Sequence, residues 1–266
     1  MIASLRQLFR APPAPPLPAV PAGERVYAVG DVHGRSDLFA SLIEAIDADD
    51  AMRGAARTTV VLLGDLVDRG PDSAGVIRLA RDWRARRKVR LIAGNHEEMF
   101  LASFTDRETC KHFLKYGGRE TALSYPIDRD AWNAADIAQA QALMEAHVPA
   151  DDRRFLDNAE DMIAIGDYLF VHAGIAPGVP FEDQRTSELR WIREPFLSHR
   201  GNHGAVVVHG HTITRAPVLR ANRIGLDTGA YQSGRLTALG LEGDRRWLLE
   251  AAEVDGEIAT TAKDIA

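Results

Sequence analysis

Three short apolar runs in the first hundred residues each stop at a glycine followed by a polar cluster, and helical stretches separate them. Arg25-Val-Tyr-Ala-Val-Gly30 reads as a strand, after which Ser36 is placed to cap a helix through about Ala48. Thr58-Thr-Val-Val-Leu-Leu-Gly64 is β-branched and continuously apolar, the pattern of a strand buried on both faces. A second helix follows Pro71 over roughly 72–87, and Val89-Arg-Leu-Ile-Ala-Gly94 supplies the third strand. This βαβαβ spacing predicts parallel strands with helices packed on their faces. The second helix carries Arg78, Arg81, Arg84, Arg86, Arg87 and Lys88, which read as a solvated helix surface rather than a phosphate-binding face.

The pattern then changes. Residues from about 97 to 157 are Ala-rich and helical in tendency, which predicts a helical insertion beside the strand ends. Strand character returns at 162–165 and 168–172, and the Gly166-Asp167 step between them is a hairpin signal. Further strands are expected at 205–209 and 223–226, with a hairpin over 235–251 turning at Gly243-Asp244. The polar tail from Glu253 is expected to fray.

The N-terminus reads differently again. Six of the 13 prolines fall between Pro12 and Pro21, so residues 11–23 read as an extended linker. Residues 1–10 are expected to be a leader rather than an amphipathic peg, since ten residues seldom hold a helix alone. No apolar run approaches the ~18 residues of a membrane span, and no signal-peptide pattern is visible, so the cytoplasm is the default location. A net charge of -6 argues against a nucleic-acid backbone as the main partner. The single Cys110 excludes an intrachain disulfide and a Cys-rich zinc module. Cys110 is followed by no arginine until Arg119, so a cysteine-phosphatase loop is not supported. No GxxxxGK[ST] phosphate-binding loop exists either.

The chemistry-bearing residues follow the strands. In open α/β sheets the carboxyl ends of strands form the ligand crevice. Five such ends carry metal-type ligands: Asp31 with His33, Asp65 with Asp68 and Arg69, Asn95 with His96 and Glu97, His172, and His209 with His211. Each alone is weak, because a Gly-Asp step is usually turn chemistry and a strand-end histidine is often just hydrogen-bonded. Their conjunction is strong. Carboxylates and imidazoles gathered in one crevice without a cation would be electrostatically costly, and the mixed donor set suits manganese, iron or zinc.

These segments carry a resemblance. GDVHG (30–34), GDLVDRG (64–70) and GNHE (94–97), followed by HAG and GHT, resemble the phosphoprotein phosphatase branch of the calcineurin-like metallophosphoesterases, nearest its bacterial serine/threonine protein phosphatases. The likeness runs from about Arg25 to Gly243, within an expected domain over 24–252. It implies an α/β fold of layered mixed β-sheets, a sandwich flanked by helices. By position it assigns Asp31 and His33 to one metal, Asn95, His172 and His211 to another, and Asp65 to both. The cofactors it implies are two divalent ions, manganese first, with iron or zinc as alternatives. His209 would stand behind the ligands. A metal lowers the pKa of bound water toward ~7, and the resulting hydroxide attacks phosphorus in line with the leaving alkoxide. His96 would protonate that alkoxide, Asp68 would orient His96, and Arg69 with Arg193 would bind the phosphoryl oxygens, Arg190 being the fallback.

The resemblance implies a phosphoprotein or phosphopeptide substrate, serine/threonine first and tyrosine second. A symmetrical dinucleoside tetraphosphate hydrolase stays open as the alternative, with a small nucleotide substrate. Those enzymes tend to read GDLVARG and GNHD, whereas Asp68 and Glu97 stand here. A non-catalytic phosphoprotein-binding regulator would show damage at His96, Asp68 or the ligands, and none is damaged.

Overall fold

A computed structural model describes residues 17–265. Its first strands follow from the apolar runs. β1 (Glu24–Val29), β2 (Arg57–Leu62) and β3 (Val89–Leu91) lie parallel, joined by α1 (Ser36–Met52) and α2 (Ser73–Arg86). Helix α2 starts where Asp72 accepts a hydrogen bond from the Gly75 amide at 2.9 Å, which satisfies one of the orphan donors of a helix start. Ser36 does not cap α1; its hydroxyl instead donates to Asp72 at 2.6 Å, tying the two helix starts together.

The segment expected to be helical holds α3 (Asn95–Ser103), α4 (Arg107–Phe113), a π turn over Leu114–Gly118, α5 (Arg119–Ser124), α6 (Arg129–Ala134), α7 (Ile137–His147) and α8 (Ala150–Asp157). Next come the hairpin β4 (Met162–Ile165) and β5 (Tyr168–Val171), then α9 (Thr186–Trp191) and β6 (Val206–His209). The chain closes with β7 (Val218–Leu219), β8 (Arg223–Gly225), α10 (Ala230–Ser233), β9 (Arg235–Glu242), β10 (Arg245–Val254) and β11 (Glu257–Ile265).

Two mixed sheets result, ordered β11-β10-β9-β1-β2-β3 and β4-β5-β6-β8-β7. The period of two along β1 explains their stacking. Val26 and Ala28 enter the layer between the sheets with Phe170, Val208 and Leu239, while Tyr27 and Val29 face the helices with Phe39, Leu42 and Trp83. A third apolar layer, including Val171, Val207 and Phe196, covers the outer side of the second sheet. The sandwich flanked by helices is therefore the architecture observed.

Two regions differ from the sequence reading. The tail from Glu253 does not fray: β11 pairs along β10 from Arg246 to Val254, because the turn at Asp255-Gly256 returns the chain antiparallel. Within the expected linker, residues 17–23 are fastened down. The Val20 amide donates to Gly243 O at 3.0 Å, Asp167 and Ala19 exchange hydrogen bonds of 2.9 Å, and Val20 is buried between the sheets. The rest of the linker and the leader lie outside the described residues. Among the described residues, no helix is long and apolar enough to cross a membrane.

The basic face of α2 is not a phosphate site. Arg87 is bonded to Asp47 and Asp50, and Arg81 to Asp152 at 2.5 Å.

Beneath the first sheet, Asp49 accepts from Tyr27 Oη (2.6 Å), Arg53 Nε (2.8 Å) and Trp247 Nε1 (2.9 Å). Burial raises the Asp49 carboxyl, but the bonds from Arg53 and Tyr27 outweigh it and hold the group below the ordinary carboxylate range. Asp49→Ala should cost about 2–4 kcal/mol in chemical denaturation, because the Tyr27 and Trp247 donors are left buried without acceptors. A lowered folded-state pKa stabilises above the unfolded value of ~3.9 and loses that contribution as pH falls through the folded value. Stability should thus fall more steeply with acid in the wild type than in Asp49→Ala.

Candidate metal centre and active site

The backbone turns sharply where the strands end. Among the described residues, six that are not glycine have positive φ, and five of them are His33, Asp65, Asp68, Arg69 and His211. Such conformations cost on the order of 1–3 kcal/mol each and gather at functional sites. Gly94 shows what the packing demands: a Cβ there would lie 2.2 Å from Asp65 Oδ1, so only glycine lets the third strand end approach the second.

Asp65 occupies the middle. Its Oδ2 is 3.5 Å from His33 Nε2 and 4.0 Å from His96 Nε2, and its Oδ1 is 3.4 Å from His172 Nε2. Asn95 Oδ1 lies 3.0 Å from His172 Nε2 and 2.8 Å from His211 Nδ1. Two donor groups therefore form, His33-Asp65-His96 and Asp65-His172-His211, with Asp65 in both. Asp31 stands beside the second group, where it accepts from the His211 amide at 3.0 Å. It belongs to neither of these two triplets, the first of which holds His96.

Ring tautomers follow from the backbone. His33 Nδ1–H donates to Val67 O and His172 Nδ1–H to Leu63 O, each at 2.8 Å. That fixes both Nε2 atoms toward Asp65, where a neutral ring offers a lone pair to a carboxylate oxygen. Lone pairs meeting lone pairs require a proton or a cation between them.

The charges agree. Burial, with Asp227 and Asp65 adding repulsion, pushes Asp31 well above the usual carboxylate range. Burial acts on Asp65 in the same direction, yet His172, His96 and His33 outweigh it and hold this carboxylate well below its ordinary value. Burial lowers His33 and His211 to about 3, so both rings stay neutral and able to ligate. His211 Nε2 and Asp227 Oδ2 are buried with no hydrogen-bond partner.

One side of the centre carries a hydrogen-bonded His–Asp pair. His96 Nδ1 lies 2.6 Å from Asp68 Oδ2, and Thr121 Oγ1 donates to the other Asp68 oxygen at 2.6 Å. Burial would lower His96, but Asp65 and Asp68 together raise it above an ordinary imidazole. Arg69 spans the opening, donating to His33 Nε2 at 2.9 Å and His96 Nε2 at 2.8 Å. The Gly117 carbonyl holds the Arg69 amide at 3.0 Å; a Cβ on Gly117, whose φ is +107°, would lie 2.6 Å from that nitrogen. The whole assembly opens into a cavity of about 520 Å³ whose wall includes Arg193, Tyr231, Tyr116 and Trp191.

The sequence profile of calcineurin-like phosphoesterases matches residues 24–250. The chain belongs to that family. It is a metallophosphoesterase, a hydrolase of phosphate esters from a metal-dependent family. The phosphoesterase is 28% identical to serine/threonine-protein phosphatase 1 of Salmonella typhimurium, a match covering 80% of this chain and 89% of that one. It is 24% identical to the symmetrical bis(5'-nucleosyl)-tetraphosphatase of Nitrosospira multiformis, covering 83% of this chain and 94% of the relative. The solved structure of a cold-active protein tyrosine phosphatase shares its fold, with a TM-score of 0.58 at 20% identity over 91% of this chain and 81% of that one.

Of the two arginines weighed from sequence, Arg193 lines the phosphoesterase cavity, whereas Arg190 is held by Asp161 at 2.6 Å and Glu98 at 3.3 Å. His209 faces away: its Nε2 accepts from Arg223 at 3.2 Å and its ring packs on Phe196. Two residues have a place in the site that the sequence reading did not give them. Glu97 accepts from the Asp65 and Leu66 amides at 2.7 Å and the Gly94 amide at 2.9 Å, bracing the two strand ends. Asp227, pushed up to about 6 by burial, follows β8 as Asp31 follows β1, so the strand-end rule could have found it.

Because Asp65 belongs to both donor groups, Asp65→Asn should weaken cation binding at both. Calorimetric titration with manganese should show losses beyond the roughly 10–100-fold expected for removing an outer partner. One binding event at wild-type affinity would reject the shared aspartate.

Proposed function

We propose that this phosphoesterase is a serine/threonine phosphoprotein phosphatase working with two divalent cations, manganese first. The reading assigns Asp31 and His33 to one cation, Asn95, His172 and His211 to the other, and Asp65 to both. When bound, the cations supply a water acidified toward neutrality and offset charge on the phosphoryl oxygens. Cations also answer the acceptors crowded around Asp65.

The chain's own groups do the rest. Arg69 and Arg193 bind the phosphoryl oxygens. The single lone pair of His33 Nε2 cannot serve both Arg69 and a cation, so the phosphoryl group takes over the Arg69 donor as the substrate seats. Release of Arg69 to the phosphoryl group also frees His96 Nε2, which then takes up a proton and passes it to the departing oxygen, while Asp68 holds the Nδ1–H and raises the basicity of the ring.

The buried Asp68–His96 pair at 2.6 Å carries the substrate choice. A serine or threonine alkoxide leaves poorly without a proton. A nucleotide phosphate leaves as a stable anion and has far less need of one. The pair is an investment suited to phosphomonoesters of alcohols. Relatives named for protein and for dinucleotide hydrolysis match this chain to a similar degree, and the leaving-group chemistry is what favours the phosphoprotein reading.

His96→Asn should lower kcat by ~10²–10⁴ on a phosphoserine peptide with metal content unchanged. The loss should shrink greatly on an aryl phosphate with a very good leaving group; equal losses would remove the proton-donor role. Cleavage of a dinucleoside tetraphosphate but no phosphopeptide, with manganese present, would overturn the substrate assignment.

A further inference from the structure

Beside the main cavity lies a second one of about 500 Å³, and Arg69, Tyr116 and Tyr231 line both. The π turn Leu114–Gly118 makes this neighbour. By bonding Arg69 through Gly117, it brings Lys115 and Tyr116 to the rim, and Arg119 follows at the start of α5. The backbone kinks here, since Tyr116 and Gly117 leave the helical region and Gly117 has a φ of +107°.

Charge is distributed unevenly around the opening. On the Trp191 side, Arg190 is neutralised by Asp161 and Glu98. On the Tyr231 side, three cations, Arg69, Lys115 and Arg119, stand against one carboxylate, Glu120. Among the described residues, neither Lys115 nor Arg119 has an ion-pair partner. Arg119 donates only to the neutral Asn133 Oδ1 at 3.0 Å, and Lys115 Nζ lies 5.6 Å from the Tyr116 ring centre. Arg81, Arg153 and Arg154 are paired, whereas Arg107 and Arg129 of the helical segment, like Lys115 and Arg119, have no ion pair among the described residues. Lys115 and Arg119 are set apart by their place: two exposed cations without an acidic partner on the wall of a cavity that also holds Arg69.

We infer that Lys115 and Arg119 form an anion-selective subsite that takes an acidic side chain flanking the phosphorylated residue of the substrate. The inference rests on the phosphoprotein reading above and adds a sequence preference to it. Tyr116 and Tyr231 wall the passage between the subsite and the phosphate position, so a peptide can lie across Arg69 with its acidic neighbour beyond Tyr116. Exposed charge pairs contribute about 0.2–1 kcal/mol each, which for two cations amounts to a preference of about 2–30-fold, weakened by salt.

The test compares two phosphoserine peptides that differ only in having glutamate or glutamine flanks. Turnover is measured on the manganese-loaded protein, and fluorescence anisotropy measures binding of the same peptides to the metal-free protein. Wild type should favour the glutamate peptide about 2–30-fold in both readouts at low ionic strength, and the ratio should approach one in about 0.5 M salt. Lys115→Glu/Arg119→Glu should abolish or invert the preference while melting near the wild-type temperature. Equal handling of the two peptides by wild type, or a preference that survives charge reversal, would overturn the subsite and leave the phosphatase reading standing. If an aryl phosphate is cleaved and neither peptide is, the phosphoprotein reading fails and the peptide subsite with it. Loss of dinucleoside tetraphosphate hydrolysis alone in the charge-reversed variant would hand the two cations to a polyphosphate chain instead.

Discussion

Four carboxyl groups, Asp31, Asp65, Asp227 and Glu97, are buried around one crevice floor, and their mutual repulsion is the constraint to which the surrounding structure answers. Burying a carboxylate without compensation costs on the order of several kcal/mol. Each acid here is compensated differently. Glu97 is wrapped by backbone amides, Asp31 accepts the His211 amide, and Asp65 faces three imidazoles. The imidazoles are turned inward because backbone carbonyls hold the far nitrogens of His33 and His172, and Asp68 holds that of His96. A cation between the inward nitrogens and Asp65 completes the compensation, which is why the donor arrangement fits a metal centre.

The sandwich exists in a form that makes this crowding possible. Parallel strands β1, β2 and β3 end side by side, and β5, β6 and β8 of the second sheet deliver His172, His211 and Asp227 to the same edge. Both sheets are fixed by apolar layers that leave little freedom at the strand ends. The left-handed turns at His33, Asp65, Asp68, Arg69 and His211 are held there against their own preference. Rigidity of the layers and strain of the loops are parts of one design, since a softer scaffold would relax the turns and separate the donors.

Around this floor the helical segment does more than cover the crevice. Thr121 holds one oxygen of Asp68, and Gly117 holds the Arg69 amide. The Asp68–His96 pair and Arg69 are thereby both referred to α5 and the turn before it. Changes in that segment can alter substrate choice without touching a metal ligand. This offers a physical route by which chains sharing one metal centre come to act on different phosphate esters.

Strand identities, the βαβαβ start and the set of metal-type donors were legible in the sequence because they depend on local pattern: β-branched runs, glycine at the turn, ligand residues just beyond. Glu97 was readable as part of a motif but not as a brace, because its partners are the amides of a loop some thirty residues earlier, reached by a side chain that folds back. The tail strand was missed for the same kind of reason: its exposed, polar residues carry no inward pattern, and pairing with β10 supplies the order. Arg190 and Arg193 are equivalent in sequence, three positions apart in one polar stretch. Only the tertiary structure separates them, by placing Asp161 and Glu98 against one and open cavity against the other. The sequence determined which chemical groups would be present and roughly where each strand would release them. Which of those groups face one another, and which charges are already spent on a neighbour, was decided by the folded chain, because compensation of charge acts through space between residues far apart along it.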